Sequence, residues 1–184
     1  HVMHDATTDR LRLVPLDVHH VDVMLRHRAR NAAFLQPWEP RRPERDASAW
    51  RAQLTTWKTE SDAQQGLHLG VFLDDNADEL VGVVHLTNVI RGVFQACHLG
   101  FSLDEEHQGR GYMREALQAV LRIAFDDWDL HRVMANHLPH NTRSAALLDK
   151  LDFVVEGEAK SYLKIDGRWQ DHVLRSKVNP AHDG

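Results

Sequence analysis

At 184 residues, 42% hydrophobic and 27% charged, the chain has the composition of an ordinary globular domain with a sizeable core. A formal net charge of −5 argues against broad nucleic-acid binding, and no apolar run approaches the roughly 20 residues that span a bilayer. The single cysteine, Cys97, excludes an internal disulfide and points to a reducing, cytoplasmic compartment; no signal peptide is expected. His1-Val2, ahead of Met3, is given no role in the fold.

Leu11-Arg12-Leu13-Val14 alternates and predicts a first strand. Asp17 is the expected N-cap of a helix to about residue 30, whose apolar Val18, Val21, Met24 and Leu25 recur at helical spacing. Phe34-Leu35-Gln36-Pro37-Trp38-Glu39-Pro40 carries two prolines and cannot be helical throughout. A second helix is expected over 47–65, ended by Gly66. Strands are expected over 67–73 and 80–89 around the turn residues Asp74-Asp75-Asn76. Arg91-Gly92 then turns the chain into a strand over 96–103. A helix over 114–127, a strand over 132–138 and a short helix from an Asn141 cap to Leu151 follow. Residues 155–165 and 169–178 close the chain as two strands joined at Asp166-Gly167. The order β-α-α-β-β-β-α-β-α-β-β predicts an α/β domain over 3–180, with one mixed sheet, helices on both faces and no interdomain linker.

Between the strand at 96–103 and the helix after it lies His107-Gln108-Gly109-Arg110-Gly111-Tyr112-Met113. A helix start offers unpaired N–H groups and partial positive charge, and glycines let the backbone approach a diphosphate. The loop lacks the Gly-Lys-Ser/Thr ending of a P-loop and the third glycine of a dinucleotide fingerprint. Alone it also fits a surface turn with glycines for bending.

Together with the element order and a later Asn141-x-x-Ser144 helix start, Gln108-x-x-Gly111-x-Met113 resembles the diphosphate loop of the GCN5-related N-acetyltransferases (GNAT), which bind acetyl-CoA. Over nearly its whole length the chain resembles the RimJ-type ribosomal-protein-alanine N-acetyltransferases. The most specific pieces are the Phe34–Pro40 motif quoted above, Thr87-Asn88-Val89-Ile90-Arg91-Gly92 with Phe94, and Met134-Ala135-Asn136. Pro139-His140-Asn141-x-x-Ser144 and Ile165-Asp166-Gly167-x-Trp169-x-Asp171-His172-Val173 complete the set.

The resemblance implies a mainly antiparallel sheet splayed between two parallel strands, 96–103 and 132–138. Pantetheine would enter the gap beside Phe101, Ser102 and Leu103, and the diphosphate would rest on Gln108, Gly109, Arg110, Gly111, Tyr112 and Met113. Asn141 would hydrogen-bond the pantetheine amides. Arg110, Arg114 and Arg143 are either CoA-phosphate partners or solvated helix surface. The substrate amine would attack the thioester directly, with the Leu103 N–H polarising the carbonyl. Ser144 is the family-consistent proton donor to the thiolate; the other reading is an ordinary first-turn serine. Trp38, Glu39, Phe94 and Asn136 would line the acceptor site, although Trp38 could equally cap the core.

Three departures stand out. Ser161-Tyr162-Leu163-Lys164 has no carboxylate where a related branch carries a glutamate base, leaving Glu39, Glu158 and Asp171 as helpers. Met113 replaces a small residue, and Asp152 replaces a glycine expected at positive φ. The missing base favours an α-amine acceptor, of pKa about 7.7–8.0, over lysine at about 10.4.

Fourteen histidines lack metalloenzyme spacing, so no metal is expected, and Cys97 reads as a small buried hydrophobe. The expected function is acetyl transfer from acetyl-CoA to the N-terminal alanine of a ribosomal protein. Two alternatives stand beside it: a small-molecule amine acceptor, such as an antibiotic or aminoacyl nucleotide, and a CoA-binding ribosome-assembly factor without essential catalysis. No nucleic-acid or membrane partner is expected, and the sequence sets no oligomeric state.

Overall fold

Residues 5–182 are described by a computed structural model. His1-Val2 and the start of the 3–180 domain lie outside the described residues. Among the described residues the strands are β1 (Ala6–Thr7), β2 (Leu11–Pro15), β3 (Leu67–Leu73) and β4 (Asn76–Ile90), then β5 (Ala96–Leu103), β6 (Arg132–His137), β7 (Val154–Ile165) and β8 (Arg168–Val178). The helices are α1 (Val21–Leu35), α2 (Ala47–Asp62), α3 (Tyr112–Arg122) and α4 (Thr142–Lys150). One sheet contains all the strands in the order β1-β2-β3-β4-β5-β6-β8-β7, and only the β5–β6 pair is parallel.

Alternation along the strands divides the interior between the two faces. Leu67, Leu69 and Val71 of β3 join Leu11, Leu13, Val84 and Leu86 against Met113, Ala116, Leu117 and Val120 of α3. Phe72 joins Val14, Leu16 and Leu80 on the other face, against Met24 of α1 and Trp50 and Leu54 of α2. Leu69 and Leu117 are fully buried; truncating either to alanine would cost about 2–5 kcal/mol. The helices therefore cover both faces, as the element order predicts.

The differences lie in boundaries and in one helix face. Asp17 caps a 3₁₀ turn, Val18–His20, which runs into α1, and its backbone N–H donates to His20 Nδ1 at 3.0 Å. The helix continues past residue 30 to Leu35, and Pro37 then sits in a 3₁₀ turn, Gln36–Trp38. Of the expected apolar set Met24 is buried and Val21 and Leu25 pack half-buried against the core, but Val18 is exposed, and His27, Asn31 and Leu35 complete the buried face. The second helix stops at Asp62, and the left-handed residue after it is Gln64 (φ 55), not Gly66. The third begins two residues earlier than expected, at Tyr112, and reaches the expected end at Asp127 through a π turn, Ile123–Asp127. Asp152 does take the left-handed conformation, at φ 65.

Candidate active site

β5 and β6 pair only at Ala96–Arg132, Cys97–Val133 and His98–Met134. Beyond that point each keeps its outer neighbour: β5 stays in register with β4 as far as Leu103–Gly82, and β6 with β8 as far as His137–Val173. The two parallel strands therefore part into a wedge-shaped slot. The Asp104 N–H donates to Val81 O at 2.7 Å. Antiparallel ladder bonds alternate, so the backbone groups of Phe101 and Leu103 aim away from β4 and into the slot. Ser102 bonds toward β4 and offers the slot no backbone group. The Asn179 N–H donates to His131 O at 2.7 Å; the same alternation along β6 aims the Asn136 backbone into the slot from the opposite rail. Gln108 Nε2 donates to Leu103 O at 3.1 Å, tying the rail to the loop that follows.

In that loop Gly109 (φ 78) and Gly111 (φ 77) are both left-handed, and Gly111 is the N-cap of α3. A Cβ at Gly109 would meet nothing within 4 Å, so conformation rather than space calls for glycine there. Met113 is buried in the core, which explains how the loop accepts a large side chain at this position. Arg110 and Arg114 are exposed. Arg10, which sequence reasoning missed, straps the loop: Nη1 donates to Arg110 O at 2.9 Å and Nε to Glu115 Oε1 at 2.8 Å. Its guanidinium lies 4.5 Å from the centre of the Tyr112 ring.

Behind the loop sits a second unforeseen feature, the buried Asp104. Its carboxylate accepts from His27 Nδ1 (2.9 Å), Arg30 Nη2 (3.0 Å), Asn31 Nδ2 and the His107 ring (3.1 Å). Burial pushes this carboxyl up, but the hydrogen bonds from His27, Asn31 and Arg30 outweigh it and hold the group below the usual carboxylate range. No local pattern signals such a cluster, because Asp104 lies more than 70 residues from His27, Arg30 and Asn31.

At α4, Asn141 Oδ1 accepts from the Ser144 N–H at 3.2 Å, which leaves the Asn141 amide nitrogen available as a donor. Ser144 is half-buried in the first turn. The Arg143 guanidinium lies 5.3 Å from the Phe34 ring centre. Trp38, in the turn after α1, meets His140, just past the splayed end of β6, with ring centroids 5.4 Å apart. Phe94 belongs to the turn before β5, at the paired end. Trp38 and Phe94 therefore come from different elements, the turn after α1 and the turn before β5. The helper carboxylates are all engaged. Glu39 takes two bonds from Arg28, at 2.9 and 2.8 Å. Asp171 accepts from the Ser161 N–H at 2.9 Å and lies 3.3 Å from Lys160, which also lies 3.4 Å from Glu158. Burial pushes the Cys97 thiol up to about 12, so it is no nucleophile.

The sequence profile of the acetyltransferase (GNAT) domain matches residues 10–154. The chain belongs to the GNAT acetyltransferases. It is 44% identical over 178 residues to the ribosomal protein uS5-alanine N-acetyltransferase of Escherichia coli (strain K12), covering 95% of this chain and 90% of that one. The crystal structure of ribosomal-protein-S5-alanine acetyltransferase from Vibrio fischeri matches with a TM-score of 0.91 at 32% identity, over 98% of this chain and 99% of that one. Mycobacterium smegmatis RimJ in complex with CoA-disulfide matches with a TM-score of 0.85 at 27% identity, over 96% and 90%. The splayed mixed sheet is thus the GNAT fold, and the protein is an acetyl-CoA-dependent N-acetyltransferase. Among the described residues no helix is long and apolar enough to cross a membrane, and no group of three or more His, Cys, Asp or Glu could hold a metal.

Proposed function

We propose that the chain acetylates the N-terminal alanine of a ribosomal protein, by direct attack of the α-amine on acetyl-CoA in a ternary complex. The observation that carries the acceptor is the 44% identity to uS5-alanine N-acetyltransferase along 95% of the chain. In this reading residues 3–180 form one catalytic domain working in the cytoplasm. Pantetheine pairs with the Phe101 and Leu103 backbone and receives a bond from Asn141. The diphosphate lies on the N–H groups of 108–113, with Arg110 and Arg114 free to approach it. The Leu103 N–H polarises the thioester and Ser144 protonates the departing thiolate. Trp38 and Asn136 flank the amine, while Glu39 braces the wall through Arg28. Holding amine and thioester in line supplies much of the rate, and no covalent enzyme intermediate is needed.

The test is mass spectrometry of the protein with acetyl-CoA and two peptides, one with a free N-terminal alanine from a ribosomal protein, the other N-blocked with an internal lysine. Acetylation of the first alone is expected. Labelling of neither, with turnover on a free small amine, would replace the acceptor.

A further inference from the structure

The paired carboxylates leave the amine's proton without an evident exit, and the α1/α2 face of the sheet holds one. Val83 packs with the α1/α2 core, so His85, two residues on, projects from the same face of β4. His85 stands directly opposite Gly100 on β5. A Cβ at Gly100 would meet nothing within 4 Å. The ground beside His85 is therefore open, one strand from the slot and next to Phe101.

Behind His85 the groups form a chain. His85 Nδ1 lies 2.8 Å from His68 Nδ1, and His68 Nε2 lies 2.6 Å from Glu60 Oε2. Trp57 stacks on His68 at 4.9 Å and meets His85 at 4.8 Å, holding both rings. The carboxylate fixes the tautomers. Glu60 only accepts, so His68 carries its proton on Nε2; His68 Nδ1 then accepts from His85 Nδ1–H, and the basic lone pair falls on His85 Nε2. That nitrogen makes no hydrogen bond to the described residues, and it is not sealed in as His27 Nε2 is.

We propose that His85 Nε2 is the proton acceptor for the attacking amine and that His68 and Glu60 conduct the proton to solvent. This rests on the slot proposed above as the acetyl-CoA site. The amine nitrogen bonds to the thioester carbon, and the C–S electron pair leaves with sulfur, which is protonated through Ser144, resupplied from solvent. The amine's proton passes to His85 Nε2 as the His85 Nδ1 proton moves to His68 and the His68 Nε2 proton to Glu60. Glu60 then releases it. The titratable and charged groups around His85 are Glu60 from α2, His68 from β3, His98 on the same face of β5, and Arg42 from the segment before α2. Burial lowers His68, and burial, His68 and Arg42 push His85 down to about 3. Both rings stay neutral near neutral pH, so His85 passes a proton on rather than storing it.

The experiment compares wild type, His85→Ala and Glu60→Gln on the amine that wild type acetylates, the alanine peptide first. His85→Ala is expected to lose on the order of 100-fold in kcat, with the Kd for CoA unchanged and part of the loss restored by added imidazole. Glu60→Gln, at a partly exposed position, is expected to lower kcat with both KM values kept and to change the pH profile. Rates within twofold of wild type for both variants, or a His85→Ala loss that imidazole leaves untouched while CoA still binds, would overturn the relay. Inactivity of wild type on the alanine peptide alone would instead count against the acceptor, and the relay is then read on the amine that is turned over.

Discussion

Asn31 Oδ1 accepts the Glu105 N–H at 3.0 Å while its amide nitrogen donates to Asp104, so one side chain of α1 holds two successive residues of the turn entering the glycine loop. Asp104→Ala would leave Arg30 and His27 facing a void. A loss of about 3–5 kcal/mol is expected in urea unfolding, together with weaker CoA binding, since α3 and the loop lose their tether to α1. The carboxyl is held low, so its contribution is present above the unfolded value of about 3.9 and disappears as pH falls through the lower folded value. An Asp104→Ala protein as stable as wild type at pH 7 would refute this.

Gly111→Val forces a β-branched residue to φ 77, at a cost of about 1–2 kcal/mol in the left-handed region. The strain falls on the N–H groups proposed to hold the diphosphate, and titration calorimetry should show CoA bound at least tenfold more weakly. Asn141→Ala should weaken CoA binding too, and should cost about 1 kcal/mol of stability from the lost α4 cap.

Gly100 differs from the loop glycines, because its φ is not positive and space is open above it. Gly100→Val should keep both the melting temperature and the Kd for CoA. By occupying the ground beside His85 it should reduce kcat/KM for the amine on the order of 100-fold, the effect of a small misplacement of reactants. Loss of CoA affinity in step with activity would show that this space serves the cofactor instead.

His85 also leaves a mark on stability. Its folded pKa lies below the unfolded value of about 6.5. The unfolded chain therefore takes up a proton that the native state refuses. His85's contribution is intact above pH 6.5 and erodes on acidification toward its folded value of about 3, at about 1.4 kcal/mol per pH unit. Unfolding curves between pH 6 and 4 should show a shallower pH slope for His85→Gln than for wild type.

Where structure follows from neighbours in the chain, the sequence was readable. The run from Ala96 through Gly109 and Gly111 into α3 obeys local rules of alternation, positive φ and capping, and so does the left-handed Asp152. The helix stop was misjudged for an instructive reason: Gln64 took the left-handed turn, while Gly66 sits where a Cβ would come 3.2 Å from Leu86 O. Periodicity placed Met24, Val21 and Leu25 of α1 correctly but missed His27 and Asn31, because it assigns the inner face to apolar residues and this face also carries polar ones to a buried carboxylate. Arg10 on Arg110, and Glu60 on His68 on His85, are contacts between side chains whose sequence spacing announces nothing.

β8 lies between β6 and β7, so the rail that carries Asn136 is held from outside by a strand made some forty residues later. Until residues 168–178 have been synthesised, β6 beyond Met134 has a β-neighbour on neither side. Because chains fold from the N-terminus as they emerge, the glycine loop and α3 can be in place well before the slot has two walls. Completion of the slot is then a late event in the life of the nascent chain, timed by the β7–β8 hairpin, and both of its walls stand only once residues 168–178 have been made.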